Sequence, residues 1–298
     1  MPIIHSRYRE GGTPTIDEKT CVTCGECTKI CAGQVLVMEE GKVRVNPGAP
    51  FGCIACGHCM MVCPTGAVTV TGRGLSPDDL LPLPPPEARA SADALEALMR
   101  ARRSARRFRE EEVAPELLDG IVAMAESAPM GIPPWDIGCV VVRGRREVED
   151  LAAEIIKGYE GFLKIFRPLT LTLMRPLLGR ARYEMFKDFL RPLAQKYVDA
   201  HREGEDALFY HAPAVLLFYH SPYAEAVDAS IACTYAMLAA ESLGLGTTVV
   251  GGAPPVLARN KALSQKLGIP EGHTPSMALI VGHPATTWRH AIRRHFLS

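Results

Sequence analysis

Residues 21–31 read CVTCGECTKIC and residues 53–63 read CIACGHCMMVC, one pattern written twice. Each run sets its cysteines at C-x2-C-x2-C-x3-C: Cys21, Cys24, Cys27 and Cys31, then Cys53, Cys56, Cys59 and Cys63, the last followed by Pro64. This is the spacing of a chain that holds two [4Fe–4S] clusters, in which the fourth cysteine of each run ligates the other cluster. It predicts one cubane on Cys21, Cys24, Cys27 and Cys63, and a second on Cys53, Cys56, Cys59 and Cys31. Two such clusters imply single-electron transfer at low potential.

A disulfide framework and a pair of zinc sites are the rival readings. Disulfides suit short secreted domains, and no charged, apolar and cleavage regions of a signal peptide precede the motif. Zinc sites draw four ligands from two separated pairs, not three at one tight spacing with a fourth three residues on. The repeat also extends beyond the cysteines: Gly25 matches Gly57, Ile30 matches Val62, and Val35-Leu36-Val37 matches Ala67-Val68-Thr69. Small residues beside the ligands let backbone N–H groups approach cluster sulfur. Residues 13–72 resemble bacterial-type ferredoxins. Ala32 departs from the proline that often follows the first run, which bears on loop geometry more than on ligation.

At 298 residues the chain suggests about two domains. Thirty-three basic and thirty-three acidic residues balance, at a pI near 7.1. Neither a basic surface for nucleic acid nor an acidic tail is implied. No apolar run reaches the ~18–20 residues needed to cross a bilayer, so membrane association is not expected. Cys139 and Cys233 read as free thiols beside eight cluster thiolates, which fits a reducing, cytoplasmic setting.

The repeat ends near Val70, and LSPDDLLPLPPPEARAS occupies Leu75–Ser91. Its prolines favour either a stiff connector or a surface loop packed on the second domain. The expected domains are residues 1–74, a linker at 75–90, and residues 91–298. In the last, Ser91 caps a helix carrying Leu95, Leu98 and Met99, and Leu117, Ile121 and Met124 mark another. Ile137–Val142, Ala214–Tyr219, Thr247–Val250 and Met277–Val281 read as strands, and Ile231–Leu243 as a buried helix stopped by Gly244. Helices and strands without a βαβ rhythm predict an α+β fold.

RARRSARRFREEE begins at Arg100. On a helix Arg102 and Arg106 share a face, where like charges repel unless an anion or the glutamates at 110–112 answer them. Arginine forks suit phosphate, and Ser104 adds a hydroxyl. A solvated patch paired with those glutamates is the plain alternative.

The order of segments carries a resemblance. R-R-S-x-R-x-F at Arg102–Phe108, ESAPMGIPPWDIGCVVV at Glu126–Val142, HAPAVLLFY at His211–Tyr219, DASIACTYAMLAAESLGLGTTVVGG at Asp228–Gly252 and LGIPEGHTPSMALIVGHPA at Leu267–Ala285 together resemble the nitroreductase family of FMN proteins. The resemblance spans about residues 92–290. It implies a ferredoxin-like two-cluster domain followed by a nitroreductase-like α+β sandwich, homodimeric, with FMN at the subunit interface. By the same resemblance, Arg102, Arg103, Ser104 and Arg106 match the motif holding the ribityl-phosphate and pyrimidine edge. Pro129, Met130 and Gly131 match a loop approaching the flavin, and Val250, Gly251 and Gly252 the segment near its N5 edge. Arg289 matches a late phosphate-binding arginine. PMGIPPW departs from the family's P-S-x-x-N-x-Q-P-W: it is two residues shorter and lacks both amides that contact the flavin.

Between Gly161 and Arg202 lies FLKIFRPLTLTLMRPLLGRARYEMFKDFLRPLAQKYVDAHR, apolar yet basic, which Pro168, Pro176 and Pro192 break into short helices. Its plain reading is a lid and dimer-packing excursion; a sharper one is a surface for an anionic lipid leaflet or a quinone. His58 reads as a spacer, and His211, His220, His273 and His283 as structural. No phosphate loop or dinucleotide fingerprint occurs, and no general acid or other catalytic side chain stands out.

The resulting expectation is an iron–sulfur flavoprotein oxidoreductase with two [4Fe–4S] clusters and FMN. Electrons come from reduced ferredoxin or NAD(P)H, and a nitroaromatic, quinone or activated alkene accepts them. The alternative is an electron-transfer subunit docking on a larger redox enzyme without its own substrate. A second domain that has lost its flavin is a third possibility, motivated by the PMGIPPW loop.

Overall fold

The computed structural model describes residues 10–131 and 136–297. Contacts divide them into two compact units: residues 10–90 with 130–131, 136–137 and 223–225, and residues 91–129, 138–222 and 226–297.

The smaller unit is a repeat in structure as in sequence. Strand β1 (Thr13–Ile16) precedes helix α1 (Glu26–Ile30) and the hairpin β2 (Leu36–Glu39) and β3 (Lys42–Val45); α2 (His58–Val62) leads into β4 (Val68–Thr71). β1 pairs antiparallel with β4 from Thr13↔Thr71 to Ile16↔Val68, and β2 with β3 from Leu36↔Val45 to Glu39↔Lys42. The matched segments at 35–37 and 67–69 enter β2 and β4. Leu36, Val43, Ala55, Met60, Val68, Val70 and Leu75 form its core together with Cys27 and Cys59. Arg73 and Asp136 make a buried ion pair at 3.6 Å. Residues 75–90 carry two single-turn 3-10 helices, Pro77–Asp79 and Pro86–Ala88, the first closed by a capping box on Ser76 and Asp79.

The larger unit has a four-stranded sheet, β5 (Ile137–Arg143), β6 (Ala214–His220), β7 (Gly246–Val249) and β8 (Thr274–Gly282), in the order β5-β6-β8-β7. β8 pairs antiparallel with both neighbours, Ala214↔Val281 on one side and Thr247↔Val281 on the other. Its helices are α3 (Ala92–Ala101), α4 (Pro115–Ala125), α5 (Arg145–Ile165), α6 (Pro168–Glu184), α7 (Arg191–Arg202), α8 (Ala226–Ser242), α9 (Ala253–Leu257) and α10 (Lys261–Lys266). Ser91 caps α3, its Oγ accepting from Ala94 N at 3.2 Å. α8 lies against α4, β6 and β8, and it buries Ala229, Ala232, Cys233, Ala236 and Ala240, small residues that permit close approach. On the opposite face, Val148, Leu151, Ala152 and Ile155 of α5 pack with Val215, Leu217, Ala278 and Ile280. Both faces of the central strands are thus covered, giving an α+β sandwich.

Two expectations are corrected. Arg102–Phe108 is not helical: α3 ends at Ala101, and Ser104 makes a parallel bridge to Thr247 while Phe108 bridges Pro284. Ala105 N donates to Thr247 O at 2.9 Å, and Thr248 Oγ1 donates to Ala105 O at 2.6 Å. The open edge of β7 needs hydrogen-bond partners, and this segment supplies them. Pro176 does not break α6 either; the irregularity falls three residues on, at Gly179 with φ 71° and ψ 168°.

The edge contact depends on a residue without a side chain, since a Cβ at Gly246 would lie 2.7 Å from the Ala105 Cβ and 3.1 Å from that of Pro284. Gly246→Val is expected to lower stability by about 1–3 kcal/mol through overpacking. Thermal unfolding checks this; an unchanged melting temperature would contradict the close packing.

Candidate functional site

In the smaller unit the second cysteine of each run sits between two left-handed residues: Thr23 (φ 52°) and Gly25 (φ 75°) flank Cys24, and Ala55 (φ 56°) and Gly57 (φ 75°) flank Cys56. Gly25 and Gly57 begin α1 and α2, and Cys31 and Cys63 end them in extended conformation. Repeating these dihedrals turns backbone N–H groups toward the cysteine sulfurs. Ala55 N donates to Cys53 Sγ at 3.4 Å, and Val35 N to Cys31 Sγ at 3.3 Å.

Electrostatic neighbourhoods sort the eight sulfurs into two sets. Burial raises the pKa of Cys27, followed by the charges of Cys63, Cys24 and Cys21. Burial raises Cys59 to about 12, followed by the charges of Cys53, Cys56 and Cys31. Cys31 and Cys63 have therefore exchanged halves. Among the described residues no three Cys, His, Asp or Glu side chains close to the spacing of a single metal ion. A cubane holds its ligands apart at separate corners, so two open groups of four suit that cofactor. All ten cysteines are free of disulfides. In the larger unit Cys139 is half-buried and Cys233 fully buried, and desolvation raises both thiols to about 12.

The larger unit gathers two features. The first is cationic. Burial and then the charge of Arg103 lower the pKa of Arg102; Glu241 opposes the shift, and Arg294 adds to it. Glu241 is raised by burial and held back by Arg102 and Arg103. Arg102 and Arg103 thus gather near one partly buried carboxylate, with Arg294 within reach of Arg102 rather than of the carboxylate. Ser104 continues the extended segment, and Arg106 turns aside to lie 5.9 Å over the Tyr210 ring. Arg289 is exposed; the C-terminal arginine whose charge reaches Arg102 is Arg294.

The second feature is a cavity of about 650 Å³ between α5, residues 189–197 and α9, lined by Tyr159, Phe162, Phe189, Tyr197, Gly251 and Gly252 among others. Tyr159 Oη donates to Gly252 O at 2.7 Å, and its ring meets Tyr197 edge-on at 5.2 Å. Burial raises both phenols, so they stay protonated donors. A Cβ at Gly252 would fall 2.8 Å from the Tyr159 oxygen, whereas one at Gly251 would meet nothing within 4 Å. Val250 is pinned through its N–H to Ala278 O at 2.8 Å. Pro129 belongs to this unit, while Met130 and Gly131 group with the smaller one. Residues 132–135 of the PMGIPPW loop lie outside the described residues.

Residues 99–283 match the nitroreductase family, and the chain belongs to it. Residues 20–67 match the 4Fe-4S dicluster domain. A curated relative, FMN reductase [NAD(P)H] of Bacillus subtilis (strain 168), is 29% identical over 185 residues, covering 61% of this chain; the chain spans 63% of that relative's length. Two solved nitroreductases with bound FMN share the fold. One, from Desulfitobacterium hafniense, has a TM-score of 0.50 at 22% identity over 68% of this chain and 97% of its own. The other, from Bacteroides fragilis, has a TM-score of 0.52 at 17% identity with the same coverage.

Glu241, Arg294 and Tyr159 were not singled out from sequence. Glu241 stands inside the α8 motif, but nothing in its spacing says that it faces arginines 139 and 138 residues earlier. With Arg103 and Arg294 both crowding Arg102 and one carboxylate to answer them, inorganic phosphate is expected to raise the melting temperature of cofactor-stripped protein, and Arg102→Gln to remove much of that shift. Equal shifts in the two proteins would contradict an anion site at Arg102.

Proposed function

We propose that this chain is an iron–sulfur flavoprotein oxidoreductase that takes electrons from a low-potential donor and reduces a small electron-poor molecule. The observation that carries this is the crossed grouping of eight cysteines in a chain of the nitroreductase family. Cys21, Cys24, Cys27 and Cys63 hold one [4Fe–4S] cluster, and Cys53, Cys56, Cys59 and Cys31 the other. Their buried sulfurs favour the neutral thiol until iron supplies the opposing charge. When bound, the clusters supply single electrons and FMN joins them to two-electron chemistry.

In the larger unit, Arg102, Arg103 and Ser104 bind the FMN phosphate and ribityl chain, with Arg294 as a further anion partner. Gly251 leaves its backbone open to a flat ring, and Tyr159 fixes the neighbouring Gly252 carbonyl. Pro129, Met130, Gly131, Arg106 and Arg289 remain assigned by family resemblance. The aromatic and apolar walls of the cavity fit a nitroaromatic, quinone or activated alkene and exclude water. An electron-transfer subunit without its own substrate has no need of such a cavity. Exposed apolar residues on α3 and α8, Leu95, Met99, Val227 and Tyr235, support a homodimer. The NAD(P)H named for the curated relative and reduced ferredoxin are the candidate donors.

Oxygen-free purification with iron, sulfide and flavin measured together tests the proposal. About eight iron, about eight sulfide and one FMN per chain are expected. Cys63→Ser is expected to perturb the cluster of the first run rather than its own, read by electron paramagnetic resonance of the reduced protein. Zinc in place of iron, or no extractable FMN, would overturn the assignment. Flavin reduction by NADH in cluster-depleted protein identifies NADH as a direct donor.

A further inference from the structure

Helix α6 carries an apolar stripe that its own unit leaves uncovered. Leu169, Leu173 and Leu177 are 74%, 73% and 83% exposed, and their four-residue spacing aligns them on one side of the helix. The helix has a separate inward side, where Leu171 is buried and Met174 and Leu178 are half-buried. The leucine stripe is therefore additional to the packing that holds α6 in place. Among the described residues, the other exposed apolar side chains of this unit include those on α3 and α8, so subunit pairing has a surface elsewhere.

Beside the start of α6 lies a cavity of about 370 Å³ between the end of α5 and α7, lined by Lys164, Arg167, Arg191, Gln195 and Arg202 with Glu160. Glu160 is taken by Arg202 at 3.3 Å. Arg191 Nε is buried with no hydrogen-bond partner, a donor that an anionic oxygen in the cavity would answer. Arg167 lines this cavity and is also the cap of α6, so cations and leucines adjoin. Residues 161–202 hold nine lysines and arginines against three acids, Glu184, Asp188 and Asp199. Two copies of this face would repel each other, whereas a negatively charged surface would not.

We propose that α6 and the basic cavity form a docking surface for an anionic phospholipid membrane. The leucines enter the boundary between headgroups and acyl chains, and Lys164, Arg167 and Arg191 take headgroup phosphates. No described helix is long and apolar enough to cross a membrane, so the attachment is peripheral.

The test is flotation of the full chain, purified with its cofactors, on phosphatidylcholine vesicles with and without phosphatidylglycerol. Binding is expected only with phosphatidylglycerol and is expected to weaken as salt rises. Leu173→Glu with Leu177→Glu is expected to abolish flotation while far-ultraviolet circular dichroism is unchanged. Arg167→Gln, at an exposed position, and Arg191→Gln are each expected to weaken vesicle binding about fivefold. Absence of wild-type flotation, equal flotation on phosphatidylcholine alone, or flotation that survives the double leucine variant would each overturn the proposal. If wild-type protein fails to float and the leucine variant turns a dimer into a monomer by light scattering, the stripe is a contact between copies and the proposal falls.

Discussion

Backbone groups at the edge of a sheet must find partners, and this requirement shapes the larger unit around β8. That strand is buried through most of its length and bonded on both sides, to β6 and to β7. β7 is then left with an open edge, which the extended segment after α3 fills at Ser104 and Ala105. The same segment returns to the end of β8, where Arg109 N donates to His283 O and Ala285 N to Arg107 O, both at 2.9 Å. Five arginines between 102 and 109 are thus carried on a strand-like backbone fixed at both ends. Arg102 and Arg103 owe their proximity to Glu241 to that pairing, not to a helix face.

The smaller unit works by a different principle. Its strands are four residues long and its helices five, too short to supply much core. Units of this size commonly rely on metal for stability, and here the hydrophobic cluster includes the cysteines themselves. Left-handed residues around Cys24 and Cys56 cost conformational energy that regular structure does not return. Under the proposed assignment cluster ligation offsets it, so that stability and redox chemistry would rest on the same eight side chains.

The excursion formed by α5, α6 and α7 serves two faces. Tyr159, Phe162 and Tyr197 close the apolar cavity beside Gly251 and Gly252, while Glu160, Lys164 and Arg167 face a second cavity of opposite character. Neighbouring positions on α5 thus divide between an aromatic wall and a cationic one, as helical periodicity requires. The π-helical turn at Met185–Leu190 brings Phe189 and Leu190 to the first cavity.

Much of this was legible in sequence because the governing signals are local. Cysteine spacing, the glycines after Cys24 and Cys56, and the Ser91 cap each act within a few residues. The four strands and the buried α8 were readable from apolar pattern alone. The arginine segment was misread as helical because its conformation is set by Thr247 and Pro284, more than 140 residues away. The exchange of Cys31 and Cys63 could be inferred from a repeat, but only folding brings each beside the opposite run. Arg294 beside Arg102, Tyr159 under Gly252 and the unpartnered Arg191 Nε had no sequence signature. Spacing fixes what neighbours in the chain can do; distant side chains meet only when the sheet and its helices have packed, and tertiary structure decided those encounters.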